Sequence, residues 1–103
     1  MVLDLLWQAV ADGRIFWQRH ALVRMLERGI SRQMVKTCIL EGTIIERYND
    51  DKPLPSVLVL GFPEGPLHVV AAYDKTERTG YIITAYRPDD RHFEADFTTR
   101  RSS

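Results

Sequence analysis

The segment from Gln18 to Arg28 carries polar side chains whose types could act on a phosphodiester. At 3.6 residues per helical turn, His20, Arg24 and Arg28 stack at i, i+4 and i+8 on one ridge. Glu27 lies beside this ridge. A neutral histidine near a helix N-terminus can accept a proton, while guanidinium groups bind phosphate and a carboxylate can orient its neighbours. The alternative interpretation is a solvated helix face on which Glu27 pairs with Arg24, and residue types alone favour that alternative.

A second group of candidate residues lies on the last two predicted strands. Tyr86 and Arg87 point to opposite faces of their strand, so the register decides which of them neighbours His68. Arg87 also ends its strand, at a sheet rim where ligand contacts are common. The alternatives are a half-buried His68 satisfied by one hydrogen bond, and a salt bridge from Arg87 to Asp89 or Asp90.

Apolar periodicity and turn residues predict the elements that must position these side chains. Gly29 and Gly42 are expected to end helices, and Ser31 to cap one. In the second helix an apolar stripe that includes Met25 and Leu26 is expected to face the core. The predicted elements are, in order, a helix Leu3–Ala11, an extended piece Arg14–Trp17, helices over Gln18–Arg28 and from Ser31 to Gly42, strands Thr43–Tyr48, Ser56–Leu60, Leu67–Asp74 and Tyr81–Arg87, and a short helix capped by Asp89 that turns Phe93 and Phe97 inward.

Helices followed by a run of strands predict one α+β domain over residues 1–103. We expect two or three N-terminal helices on one face of a four-stranded antiparallel sheet, followed by the short C-terminal helix. An α/β fold is disfavoured because strands do not alternate with helices. The opposite sheet face is then the natural place for a site.

Composition narrows the classes of function. The chain has 14 basic and 14 acidic residues, so its net charge gives no general reason to expect nucleic acid or an anionic membrane as partner. Most of the basic residues are arginine, which suits phosphate binding or simply reflects a GC-rich genome. The single Cys38 is expected to pack in the core, and no histidine pair has metal-ligand spacing. With no signal peptide or membrane span in the sequence, we expect a cytoplasmic protein without cofactor or metal.

Several sequence blocks, in this order and spacing, resemble a bacterial family called domain of unknown function 4258. The blocks are His20–Ser31, Gly42–Glu46, Asp50–Pro53, Pro55–Ser56, Pro66–Val70 and Ile83–Pro88. The resemblance extends from about Arg14 to Arg100.

This resemblance implies a distant relationship to RelE-type and BrnT-type toxins, in the superfamily that also holds barnase-like, metal-independent ribonucleases. It implies a RelE-like fold. The candidate catalytic residues that it implies are His20, Arg24, His68, Tyr86 and Arg87. The partners it implies are RNA and a small antitoxin protein of the zinc-finger type.

Two functions therefore stand as hypotheses. In a metal-independent endoribonuclease, His20 or His68 would deprotonate a ribose 2′-hydroxyl, and Arg24 and Arg87 would stabilise the charge on phosphate. Tyr86 would position the phosphate or act as the acid. The alternative is a non-catalytic protein-interaction module on a degenerate toxin fold, in which an edge strand could also pair with a second copy of the chain. Convergence of the candidate residues in one cleft would favour catalysis, and their separation would favour the module.

Overall fold

The computed structural model describes residues 3–88 and Thr98. The elements are, in order, α1 (Leu3–Ala11), β1 (Ile15–Trp17), α2 (Arg19–Arg28), α3 (Arg32–Glu41), β2 (Thr43–Tyr48), β3 (Ser56–Gly61), β4 (Leu67–Asp74) and β5 (Thr79–Tyr86). The predicted C-terminal helix, with Phe93 and Phe97, lies outside the described residues. None of the described helices has the length and apolar character needed to cross a membrane.

Local capping fixes the turn between α2 and α3. Gly29 adopts the left-handed conformation at φ 65°, which a glycine reaches without steric cost, and it ends α2. The Ser31 hydroxyl then accepts a hydrogen bond of 3.0 Å from the Met34 amide at the start of α3. Both ends were predicted from residue type, because each depends on neighbours in sequence.

The sheet has five strands in the order β1-β5-β4-β3-β2. β1 runs parallel to β5, with Ile15 opposite Gly80 and Trp17 opposite Ile82, while the other neighbours are antiparallel. The prediction of a four-stranded, purely antiparallel sheet was therefore wrong. A strand of three residues is too short to show a period, and its partner lies far along the chain.

All three described helices pack on one face of the sheet, as predicted. Leu6, Met25 and Val35 from the helices meet strand residues such as Val59 and Ile82 in one core cluster. The fold class, α+β, is confirmed. The side chains that alternate with these strand residues point to the opposite face, which we call the open face because none of the described helices packs on it. Leu58 and His68 on this face are nevertheless fully buried.

Candidate functional site

On α2, His20 and Arg24 lie on the solvent-exposed side, while Ala21 and Met25 are buried in the core. Arg24 Nη1 donates to Glu27 Oε1 at 3.1 Å, forming an exposed ion pair between residues three positions apart. Pairs of this kind contribute little to stability. This part of the ridge, with its ion pair between Arg24 and Glu27, therefore matches the alternative prediction of a solvated helix face.

Arg28, the third residue of the predicted ridge, makes a different contact. Its Nη1 donates a 2.8 Å hydrogen bond to the carbonyl oxygen of Ala85, on β5. Arg28 therefore turns away from the ridge and ties α2 to the sheet.

His68 lies on the open face and has no exposed surface. In the β4–β5 register it stands opposite Tyr86, so the structure decides the neighbour that the sequence left open. Its Nδ1 is 3.4 Å from the Tyr86 hydroxyl, and the two rings meet edge to face with centroids 5.4 Å apart. His68 and Tyr86 are the candidate residues that the structure brings together.

Arg87 directly follows β5 at the rim of the sheet, because the strand ends at Tyr86, one residue earlier than predicted. Its Nη1 donates to the carbonyl oxygen of Arg28 at 2.5 Å, and its Nη2 to that of Gly29 at 3.3 Å. These carbonyls belong to the C-terminal end of α2, which lacks intrahelical donors and carries the negative end of the helix dipole. The guanidinium therefore caps α2. Asp89 and Asp90, its predicted alternative partners, lie outside the described residues.

The candidate residues consequently lie on two sides of the sheet. His20 and Arg24 are on the helical side, and Arg87 contacts that same layer. His68 and Tyr86 are on the open face, so the sheet itself stands between the two histidines.

A cleft of about 520 Å³ opens on the sheet where the β2–β3 loop folds over β4 and β5. Its lining includes Tyr81, Asp51 and Asp74, and none of the candidate catalytic residues. Asp51 accepts a hydrogen bond from the Ser56 hydroxyl, and Asp74 accepts from the amides of the turn after β4. Both carboxylates thus have structural partners. Among the described residues, no three metal-binding side chains are grouped to hold an ion.

Cys38 is fully buried on α3, as its place in the apolar pattern predicted. Burial raises the pKa of its thiol to about 12. A thiol with so high a pKa is a poor nucleophile at neutral pH. Cys38 is therefore a packing residue.

One surface was missed from the sequence. Leu26 is 84% exposed and Val23 is 48% exposed, although Leu26 was predicted to face the core. Met25 and Ala21, which were predicted in the same stripe, are buried in the core, and Leu22 is half-buried at the edge of the stripe. Periodicity locates the centre of an apolar stripe, but the neighbouring layer decides how wide a stripe it covers.

Residues 17–87 match the family model for Domain of unknown function (DUF4258), and the chain belongs to that family. The matched region begins within β1 and ends one residue after β5. No curated protein and no solved structure matches the chain.

Proposed function

We propose that this DUF4258 domain is a non-catalytic protein-interaction module. The observation that supports this most is the separation of the two histidines, with His20 exposed on the helical side and His68 fully buried in the open face. A general base must reach the proton that it removes, and a phosphate clamp must lie beside it. Of the two clamps expected, Arg24 is paired with Glu27 and Arg87 caps α2.

The charge of the chain supports the same proposal. Nucleic-acid binding draws most of its affinity from cations placed against phosphates. Here 14 basic residues balance 14 acidic ones. The chain therefore lacks the excess of cations that RNA binding draws on, whereas a protein partner does not require it.

Expression in a bacterial host tests the proposal. We compare wild type with His20→Ala and Arg24→Ala, scoring growth, total RNA integrity and the amount of soluble protein. A module leaves growth and RNA intact in all three strains. Growth arrest with RNA decay, relieved by His20→Ala or Arg24→Ala at equal protein level, contradicts it.

A second experiment tests directly whether the protein binds a protein partner. Affinity-tagged wild type is isolated from its native host before and after ribonuclease treatment. A module retains one protein at a constant molar ratio in both preparations. Loss of everything bound after ribonuclease treatment points to RNA as the partner instead.

The second candidate is a metal-independent endoribonuclease of a toxin–antitoxin type system, on a RelE-like fold. The contact between the fully buried His68 and the half-buried Tyr86 favours it, because polar groups in a sheet interior cost stability and are often kept for function. In this hypothesis His68 takes the proton of the ribose 2′-hydroxyl as its oxygen attacks phosphorus, and Tyr86 positions the phosphate or protonates the leaving 5′-oxygen. The partners are RNA and a zinc-finger antitoxin. This hypothesis requires that the RNA substrate reach His68, whose side chain has no exposed surface.

Tyr86→Phe tests the second candidate, since it removes one oxygen and keeps the ring that packs on His68. Purified wild type and Tyr86→Phe are incubated with total RNA and with ribosomes. Cleavage by wild type, lost in a folded Tyr86→Phe protein, would establish the nuclease and refute the module. RNA left intact by both proteins counts against it.

A further inference from the structure

We propose that the exposed side of α2 docks an acidic amphipathic helix of a protein partner. The surface, which we call the α2 patch, consists of Arg19, Leu22, Val23, Leu26 and, from α3, Arg32. The proposal rests on the interaction-module function and assigns its surface and the chemistry of its partner.

The spacing of the α2 patch is that of a helix contact surface. Leu22, Val23 and Leu26 stand at i+3, i+4 and i+7 from Arg19, so the four side chains are neighbours on one stripe of the helix. Ala21 and Met25 of the same helix are buried beside this stripe, and Leu22 at its edge packs partly against the core. The fold therefore covers only part of the apolar surface of α2.

Exposure distinguishes the patch from scattered surface residues. Single exposed apolar residues are ordinary, but adjacent ones mark binding surfaces. Leu26 is the most exposed of the large apolar side chains that the structure describes, and Val23 lies beside it. A shallow groove of about 280 Å³ adjoins them, lined by Leu22, Met25, Leu26, Ile30 and Arg32.

The arginines around the α2 patch indicate the chemistry of the partner. Residues 19–32 include four arginines and one carboxylate, in a chain whose total charge is zero. Arg24 is paired with Glu27, and Arg28 bonds the Ala85 carbonyl. Arg19 and Arg32 flank the apolar stripe, and the Arg32 guanidinium is held over the Trp17 ring at 5.9 Å. Leucines between two guanidinium groups complement a helix that carries aliphatic residues flanked by Asp or Glu.

Other occupants fit less well. A second copy in a two-fold arrangement would place arginine against arginine across the interface. Single-stranded RNA prefers aromatic platforms to branched aliphatic side chains, and the exposed apolar residues of the patch are Val23 and Leu26.

The test is a peptide selection with a counter-selection. Randomised peptides of about three helical turns, displayed on phage, are selected on the wild-type protein and depleted on Leu26→Glu. Phe62→Glu is the matched control, because Phe62 is 63% exposed and lies outside the patch, in the β3–β4 turn. Recovered peptides are synthesised, and their affinities are measured by titration calorimetry at low and high salt.

We expect peptides with aliphatic residues at i, i+3 or i+4 and with flanking Asp or Glu. Their affinity should fall about tenfold or more in Leu26→Glu and in the double variant Arg19→Glu, Arg32→Glu, and should be unchanged in Phe62→Glu. Added salt should weaken binding. Both patch variants carry surface changes, and circular dichroism verifies that they fold.

Three outcomes overturn the assignment. They are a selection in which no peptide distinguishes wild type from Leu26→Glu, discriminating peptides without acidic residues, and a wild-type protein that self-associates in sedimentation but becomes monomeric with Leu26→Glu. One further experiment distinguishes an error in the assigned surface from an error in the proposed function. If the partner isolated from the host still binds Leu26→Glu, the module stands and only the surface is wrong.

Discussion

At the scale of single residues, two arginines join α2 to β5 in opposite directions. Arg28 donates from the helix to the Ala85 carbonyl, and Arg87 donates from the strand end to the carbonyls of Arg28 and Gly29. The sequence offered Arg87 as a ligand contact because it ends a strand. Its donors instead satisfy backbone acceptors that the end of a helix leaves open.

Removing the Arg87 cap should destabilise the fold. We expect Arg87→Ala to lower the free energy of unfolding by about 1–3 kcal/mol, since hydrogen bonds from a charged donor contribute roughly that much. Arg87→Lys should recover only part, because lysine lacks the planar fork. Urea denaturation measures both, with Arg47→Ala, an exposed arginine on β2, as the control. Equal midpoints for Arg87→Ala and Arg47→Ala would show that the cap contributes nothing.

Burial of Cys38 predicts a pH dependence. Its thiol has a pKa raised to about 12, against 9.0 for an unperturbed thiol, so the unfolded chain loses this proton first. The associated stability is therefore complete below about pH 9 and is lost as the pH rises towards 12. Tyrosine and lysine also titrate in this range. The measurement is thus the difference in slope between wild type and Cys38→Ala, and identical slopes would contradict the prediction.

At the scale of elements, α3 lies unusually close to β3. A Cβ added at Gly61 would stand 2.7 Å from Cys38 Cα and 2.8 Å from its Sγ. Glycine on β3 is therefore what lets the helix backbone approach the strand. The same contact buries the Cys38 thiol, which lies 3.5 Å from the carbonyl oxygen of Leu67.

Gly61→Ala should accordingly be destabilising, by about 1–3 kcal/mol for an overpacked core. Thermal and urea unfolding measure the effect. In a Cys38→Ala background the cost should shrink but persist, because the Cα and carbonyl oxygen of residue 38 remain within 3 Å of the new methyl group. An unchanged unfolding midpoint in Gly61→Ala would mean that α3 and β3 can move apart without loss of stability.

At the scale of the whole molecule, the fold extends beyond the matched family region. α1 and the start of β1 precede residue 17, yet Leu6 and Val10 are buried in the common core. β1 extends the sheet beyond β5, and the Gly80 amide donates to the Arg14 carbonyl at 2.9 Å. The N-terminal segment is therefore part of the domain.

Adjacent leucines of α1 test that statement. Leu6 has no exposed surface, whereas Leu5 is 42% exposed. We expect Leu6→Ala to lower the free energy of unfolding by about 2–5 kcal/mol, the usual range for a buried leucine, and Leu5→Ala to cost much less. Chemical denaturation of both variants supplies the comparison. Similar costs would show that α1 is only loosely attached.

The sequence by itself determined the local structure. Gly29 and Ser31 set the end of α2 and the start of α3, and apolar runs bounded by turn residues placed β3 and β4, because these signals depend on residues a few positions apart. The helix-then-strand order also fixed the α+β class. The candidate residues on α2 and on the last strands were identified by type and spacing. His20 and Arg24 lie on the exposed side of their helix, as predicted, whereas His68 is fully buried and Arg87 lies one residue beyond its strand.

Only the tertiary structure decided what those residues meet. The parallel pairing of β1, the carbonyl partners of Arg87 and the exposure of Leu26 all depend on elements distant in sequence. The register likewise chose Tyr86 as the neighbour of His68 and placed the sheet between the two histidines. Sequence period specifies which side of an element is apolar, whereas the partner across the interface is set by how whole layers pack.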